Sequence, residues 1–412
     1  MKVKNVNIDI ALTHIFTRKK QTIVAALGVM LGIAVYLFMN SLSAGFTRYS
    51  TNEIFKNSAH IKLYKEDAIS EPLMPSVDTA QLNVIVNPQI LQESKRLINP
   101  YALIQHLKQY SFITHAIAQV NVDVFYNNGK SQLRGTANGV DITAADAMFN
   151  ITSYMLAGNL QDLQDNLNAI VIGKGIAEKL NVGIDDNITI TSSQGVNKLL
   201  KVKGIFSTGN NYTDQSKSYV NIHTAQQFAK ENASYVTTIY ANTIKSDKAV
   251  EFAKKIQLSM QYKVEAWQVT NADVLSGNRV RNTLMGAISL SILIVAAFGI
   301  YNILNMTVMQ KLNDIAILKA TGFSRKDVIT IFVTEAVIMG LLGSVAGLVL
   351  GALLIAIMGN IYMGPPTGNF PIYFDATIFA YSFFLGATVT FCAGYIPALK
   401  AARIDPVEIF RR

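Results

Sequence analysis

Four long apolar runs interrupt an otherwise mixed sequence, at 22–46, 284–309, 328–358 and 376–397. At 1.5 Å per residue, each run is long enough as a helix to cross about 30 Å of hydrocarbon. The third is longer than needed, so it tilts or extends past the apolar layer. Between the first two runs the grain changes for more than two hundred residues. "AHIKLY" at 59–64 alternates as a half-buried strand does, and "PYALIQHLKQY" at 100–110 repeats at helical spacing. The pattern predicts four transmembrane α-helices with a large α+β domain of two lobes inserted between the first and second spans.

Inside the insert, 47–135 reads as a helical continuation of the first span, a strand near 59–64, a helix near 88–109 and strands near 113–135. "NAIVIGKGIAEKLNVGIDDNITITSS" at 168–193 reads strand, helix, turn, strand, and "LLKVKGIF" at 199–206 is a further strand. "SYVTTIYA", "DKAVEFAKKIQLSM" and "YKVEAW" return to strand, helix, strand. The expected lobes are 47–135 with 226–283, and 136–225. The last part, 269–283, is expected to run as a helix into the second span, giving two stalks at 47–57 and 269–283.

Composition agrees with a membrane chain. Of 412 residues, 50% are hydrophobic and only 15% charged, and mean hydropathy is +0.28, more apolar than an average soluble domain. The net charge of +9 raises nucleic acid as a partner, but its placement argues against that. Arg18, Lys19 and Lys20 precede the first run. Lys311, Lys319, Arg325 and Lys326 follow the second, and Lys400, Arg403, Arg411 and Arg412 follow the fourth. The connection "NIYMGPPTGNFPIYFD" has no Lys or Arg. The positive-inside rule then places 1–21, 310–327 and 398–412 in the cytoplasm, and 47–283 and 359–375 outside. A cleaved leader is the competing reading of the first run. That run is longer than the 7–15 residues typical of a leader's apolar core, so a retained span is expected.

Candidate chemistry is sparse. "IGKGIAEKL" lacks the G-x-x-x-x-G-K-[ST] pattern that cradles a nucleotide. His14, His60, His106, His115 and His223 have no metal-ligand spacing. No G-x-S-x-G, H-E-x-x-H or Cys–His pair occurs, and Cys392 stands alone in the fourth run. No catalytic residue, cofactor site or metal site is expected. Glu335, near the start of the third run, is the acid that stands out; it is expected to reach the interface. Gly28 and Gly32 on the first span, and Gly343, Gly347 and Gly351 on the third, have the i, i+4 spacing of small-residue faces that let helices approach closely.

"MQKLNDIAILKATGFSRKDV" at 309–328 is amphipathic and charged, yet it connects two spans. Leu312, Ile315, Ala316 and Leu318/Lys319 form one stripe, with Lys311, Asp314 and the Lys319 head facing polar surroundings. Gly322 is a natural helix stop, and Ser324 with Asp327 three residues on suits the restart. By pattern alone the helix either lies on lipid headgroups or docks into a groove of a cytoplasmic partner.

From Ala296 to Leu354 the chain resembles the ABC exporter permeases that include the macrolide exporter, the FtsX cell-division permease and the lipoprotein-releasing complex. The carrying residues are Lys311, Asp314-Ile315-Ala316-Ile317-Leu318, Lys319, Gly322 and Glu335, with Asp314 where a glutamate is usual. "YIPALKAARIDPVEIFR" resembles the family's ending through Pro397, Ala401, Ala402, Pro406 and Glu408. "AAFGIYNILNMTVMQKLNDIAILK", "ANGVDITAADAMFN", "AGNLQDLQ", "AIVIGKGIAEKLNV" and "VKGIFSTGNNYTDQSKSYVNI" resemble blocks of the lipoprotein-releasing permeases. The member that recruits a periplasmic carrier has a longer arm before the "KVKGIF" strand, for which "TSSQGVNKLLKVKGIF" leaves little room.

The resemblance implies a bacterial inner-membrane permease with both termini cytoplasmic. Its partners would be a dimer of cytoplasmic ABC ATPase subunits, which bind ATP and Mg, and a second permease chain, identical or paralogous. Lys311, Asp314, Ile315, Leu318, Lys319 and Gly322 would couple to the ATPase. Met30, Phe38, Met39, Phe298 and Met306 are candidates to line a cavity for lipoprotein acyl chains, or simply to meet membrane lipid. Lipoprotein extraction is the leading expectation. Export of drugs, peptides or other periplasmic cargo, and regulation of a periplasmic hydrolase without transport, are the alternatives.

Overall fold

The computed structural model describes residues 6–17, 19–56, 58–66, 94–364, 368–405, 407 and 409. The part of the expected 88–109 helix that precedes 94 lies outside them, as do Arg18, Pro406, Glu408, Arg411 and Arg412, of which nothing further is described; within them that helix runs over Pro100–Lys108. Two compact units result, one of 1–50 with 276–412 and one of 51–275.

The first unit is helical. Its elements are α1 (Val6–Thr17), α2 (Lys19–Phe55), α3 (Ala272–Gln310), α4 (Leu312–Ala320), α5 (Arg325–Gly359) and α6 (Ala376–Ala402). Among the described residues, helices α2, α3, α5 and α6 are the four that are long and apolar enough to span a membrane. Helices α2 and α3 outrun their apolar cores, and each passes through the border between the two units. Ala25, Val29 and Ile33 of α2, Leu293, Ile300 and Leu304 of α3, Ala336 and Met339 of α5, and Ala393 of α6 form one buried cluster. Helix α1, in the segment 1–21 for which no helix was expected, packs on α5, with Ala11 and Ile15 buried.

The glycines divide by environment. A methyl at Gly343 would lie 2.7 Å from the Ala26 carbonyl oxygen, and one at Gly347 would lie 2.7 Å from that of Met30. At Gly351 it would meet the Leu37 side chain at 2.7 Å. The α5 stripe therefore lets α2 approach to backbone contact. Gly32 faces Ala296 of α3, with 3.0 Å left for a methyl. Gly28 departs from the expected shared face, because a methyl there meets nothing within 4 Å.

The second unit holds β1 (Ile61–Tyr64), β2 (Ile113–Asn128), β3 (Ser131–Val140), β4 (Met155–Gly158), β5 (Ala169–Gly173), β6 (Asn187–Ser192), β7 (Asn197–Phe206), β8 (Lys217–Asn221), β9 (Thr238–Thr243) and β10 (Lys263–Ala266). They join in one sheet ordered β10-β1-β9-β2-β3-β8-β5-β7-β4, with β6 bridging β2 and β7. The long strand β2 serves both halves. Its first half pairs β9 and its second pairs β6, while β3 follows it by hairpin. The boundary expected at 135/136 falls inside β3, which continues as a single strand. The β3–β8 and β5–β7 pairs are parallel. Strands β6 and β7 are joined by a tight turn at 193–196, closed by Ser192 N–H donating to Val196 O at 2.9 Å. No arm extends from that hairpin.

Strand alternation sorts the sheet's faces. Ile61, Leu63, Val120, Val122, Val124, Ile239 and Ala241 point to one side, under Ile104, Leu107, Ala225, Phe228, Ala253 and Ile256 of the covering helices. On the other side Ile117, Val140 and Tyr219 are covered by Ala145, Phe149 and Ile151. Asn121, Asp123, Thr136 and Asn138 form a polar part of that same side.

Candidate functional site

The 309–328 segment folds as a stop, a short helix and a restart. Lys311 interrupts α3 and caps α4, its N–H donating to the Thr307 and Val308 carbonyls. The far end of α4 is closed by a Schellman arrangement. Gly322 N–H donates to Lys319 O at 3.2 Å, and Phe323 N–H donates to Leu318 O at 3.1 Å. Gly322 has φ +104, which a side chain adopts only under strain. Helix α5 then opens with a full capping box between Ser324 and Asp327. Asn7 of α1 donates to the same Asp327 carboxylate at 3.1 Å.

Burial gives α4 two faces. Ile315 and Ala316 are buried, while Leu312, Leu318 and Lys319 are half-buried. Ile315 joins Val308 of α3, Val328 and Phe332 of α5, and Ala398, Ala401 and Ala402 of α6 in one apolar cluster. Three spans therefore meet α4 at one point. The outward face is Asn313, Asp314, Ile317, Ala320 and Thr321, at the i, i+3/i+4, i+7 spacing of one helical side.

Two of the docking residues expected from sequence are turned toward the spans. Ile315, 1% exposed, faces the spans, because its side chain fills the three-span cluster. The Lys319 ammonium donates to the Ala402 carbonyl at 3.2 Å and also to the Ile404 carbonyl. These are orphan acceptors at the C-terminal end of α6, where a cation is favourable. Lys311 lies 3.8 Å from Asp314, and also lines a groove of ≈ 330 Å³ with Asp9, Thr13, His14 and Thr17 of α1. Ile317, 52% exposed, is the outward apolar residue that the sequence reading passed over. Its exposure follows from the phase of the stripe already recognised.

Glu335 does not reach the interface as expected. It is 4% exposed and lies 3.3 Å from His14 Nδ1 of α1. Burying a carboxylate needs such a partner. The signal for it was the face of Asn7, Ala11, His14 and Ile15 at i, i+4, i+7, i+8.

The candidate cavity residues fall on two helices. Phe298 and Met306 are exposed on α3, whereas Met30, Phe38 and Met39 are half-buried on α2. The Met30 carbonyl abuts Gly347, so that stretch of α2 is turned toward α5. Leu290, Ile294 and Val295 extend the exposed apolar surface of α3. Cys392 is exposed on α6. Among the described residues no group of three or more His, Cys, Asp or Glu is placed to hold a metal ion.

Four spans, an α/β domain inserted between the first two, and a short capped helix between the second and third define a multi-pass membrane protein of the permease class. The MacB-like periplasmic core domain family matches residues 22–258, and the FtsX-like permease C-terminal family matches 286–406. The chain belongs to the ABC transporter permeases that combine these two domains. It is 23% identical to the lipoprotein-releasing system transmembrane protein LolC of Xylella fastidiosa, over 93% of this chain and 92% of that one. It is 24% identical to the ABC transporter permease MJ1507 of Methanocaldococcus jannaschii, over 100% and 98%. It is 26% identical to the macrolide export ATP-binding/permease protein MacB of Nitrobacter winogradskyi, over 66% of this chain and 43% of that one. The solved periplasmic region of MacB from Actinobacillus actinomycetemcomitans aligns with 52% of this chain and 91% of its own, at 10% identity and a TM-score of 0.32.

Proposed function

We propose that this permease extracts lipoproteins from a bacterial inner membrane, driven by ATP hydrolysis in a separate cytoplasmic subunit and transmitted as mechanical work. The observation that carries this reading is the two-faced α4. Its inner face is locked to α3, α5 and α6 through Ile315 and Lys319. Its outer face presents Asp314 between Asn313 and Ile317. An ATPase subunit docked on that outer face would move three spans together, because the cluster beneath is close-packed and does not yield gradually. In this reading α4 and both termini are cytoplasmic, and the inserted domain is periplasmic. A second permease chain, identical or paralogous, would cover the exposed apolar face of α3, with the acyl chains entering beside Phe298 and Met306.

Full-length similarity to LolC favours lipoprotein as cargo. The partial matches to MacB, and to the pyoverdine export ATP-binding/permease protein PvdT of Pseudomonas fluorescens at 31% identity over 44% of this chain, favour a second reading, export of a small molecule.

The coupling test uses the permease reconstituted with its ATPase. Asp314→Lys and Ile317→Glu are expected to abolish cargo-stimulated ATP hydrolysis without changing the melting temperature. Unchanged stimulation in both variants would remove α4 as the docking element. The cargo test is purification from membranes. Co-purified triacylated lipoprotein supports extraction, whereas intact lipoprotein sorting with lost tolerance to exported compounds on deletion supports the second reading.

A further inference from the structure

Helices α2 and α3 meet through polar residues just past their apolar runs. Ser43, Thr47 and Ser50 of α2 face Asn282, Arg281 and Asn278 of α3 in antiparallel order. Ser43 Oγ donates to Asn282 Oδ1, Asn282 Nδ2 donates to Thr47 Oγ1 at 3.3 Å, and Ser50 Oγ donates to Asn278 Oδ1 at 3.5 Å. This seam continues the contact that the two helices make through their buried apolar cluster.

The seam stands at the border of the hydrocarbon layer. Phe46 ends the first apolar run and Leu284 opens the second. The Arg281 guanidinium lies over the Phe46 ring, 5.0 Å from its centre, so the two borders are level. Aromatic side chains, which favour membrane interfaces, gather at the same height. Phe370 packs edge-on to Phe46 at 6.2 Å, and the Arg48 guanidinium lies 4.4 Å from the centre of the Tyr373 ring. Arg281 is therefore level with lipid headgroups, on grounds independent of which side faces out.

The hydrogen bonding of Arg281 is incomplete. A guanidinium offers five N–H donors. Here Nη2 reaches Thr47 Oγ1 at 3.3 Å and Asn282 Oδ1 at 3.5 Å, both neutral oxygens. Nε is buried and meets no acceptor. One turn away Asn278 is 8% exposed, and its Nδ2 is buried without an acceptor too. The orphaned groups are all donors, and leaving buried donors unmatched is costly. No carboxylate answers them. Among the described residues Arg48, Arg279 and Arg281 have no ion-pair partner. Asp375, at the start of α6, accepts from Thr377 instead.

We propose that this end of the α2–α3 seam binds the phosphate of an anionic phospholipid, with Arg281 as its main donor. A phosphate brings acceptors and negative charge, which the seam lacks. The planar fork of arginine matches phosphate oxygens two at a time and tolerates partial burial better than an ammonium group. Arg48 and Arg279, each exposed beside a seam residue in sequence, add the positive charge that favours an anionic over a zwitterionic headgroup. On the Arg281 side of α3, at i+3 and i+7, Leu284 and Ile288 are exposed and offer an acyl chain an apolar path. In the orientation proposed above, the lipid belongs to the outer leaflet. It would tie α2 to α3 where both leave the apolar layer.

The test uses the full-length protein in detergent. Native mass spectrometry counts bound lipid as dioleoylphosphatidylglycerol or dioleoylphosphatidylcholine is added, with soluble glycerol 3-phosphate as the third probe. Phosphatidylglycerol is expected to bind about tenfold or more tightly than phosphatidylcholine. Arg281→Gln is expected to lower that affinity by about tenfold or more, as loss of a charge-assisted contact does. Asn278→Ala lowers it less, and Lys130→Gln, in the β2–β3 turn, leaves it unchanged. Arg281→Lys keeps the charge without the fork and retains part of the binding. Melting temperatures without added lipid separate binding from folding. If Arg281→Gln melts early, Arg281→Lys and Asn278→Ala carry the comparison. Equal binding of the two lipids, or phosphatidylglycerol binding unchanged in all three seam variants, overturns the site. Glycerol 3-phosphate binding as tightly as the lipid overturns the phospholipid as its ligand. None of these failures touches the docking of an ATPase on α4.

Discussion

The Met30 carbonyl and the Ile33 side chain leave no room for a side chain at Gly347. A methyl there would lie 2.7 Å from the one and 3.0 Å from the other. Overpacking of this kind costs about 1–3 kcal/mol. Gly347→Val is therefore expected to lower the melting temperature of the purified protein, while Gly28→Ala, in open space, leaves it unchanged or slightly higher. Thermal scans of the two variants in one detergent check the contrast; equal losses would mean that the α2–α5 stripe is not a close contact. His60 provides a second check at this scale. It accepts a hydrogen bond from Thr243 N–H at 2.9 Å through Nδ1 and packs edge-on to Phe55 at 4.9 Å. Burial holds its pKa below the usual 6.5, against the raising effects of Thr243 and Asp247. The unfolded chain then binds the proton more readily, so stability is present above about pH 6.5 and falls as the pH drops below it. Denaturant titrations between about pH 7.5 and 5.5 are expected to show this loss, and a smaller one in His60→Gln.

The short helix α4 shows what an element's pattern reveals and what it hides. Its stop at Gly322, restart at Ser324 and buried stripe were legible, because capping and periodicity are local properties of the chain. The direction of its charged groups was not. Lys319 read as outward-facing, but its stem lies along the apolar stripe and its head reaches the α6 terminus, more than eighty residues away in sequence. Nothing local announces that acceptor. The same holds for Glu335, whose partner His14 is 321 positions away, and for β2, whose two sets of neighbours are chosen by tertiary pairing. Lys319→Met tests the reassignment. It keeps the stem and removes the hydrogen bonds, which to a charged donor are worth about 1.5–3 kcal/mol. The melting temperature is expected to fall even without the ATPase present. A variant that melts normally and loses only ATPase coupling would return Lys319 to the docking face.

At the scale of the whole chain, the four apolar runs marked the helices, and the grain of the insert marked its strands. Topology across the membrane rests on a different property, the distribution of basic residues. Lys319 is now partly spoken for by α6, so its weight in the positive-inside argument needs an independent measure. Arg325 and Lys326 remain exposed at the start of α5, and the connection after α5 has no Lys or Arg. Each cytoplasmic basic residue resists translocation because its insertion cost is high and the inner leaflet surface is negative. These terms favour one orientation, with α4 inside and the inserted domain outside. Cysteine accessibility reads it directly. In a Cys392→Ala background, Lys130→Cys in the β2–β3 turn and Thr321→Cys at the end of α4 are both exposed positions. A membrane-impermeant maleimide applied to intact spheroplasts is expected to label the first at once and the second only after permeabilisation. The reverse order would invert the topology, put α4 out of reach of any cytoplasmic ATPase and remove the mechanical coupling proposed here, while leaving the fold untouched.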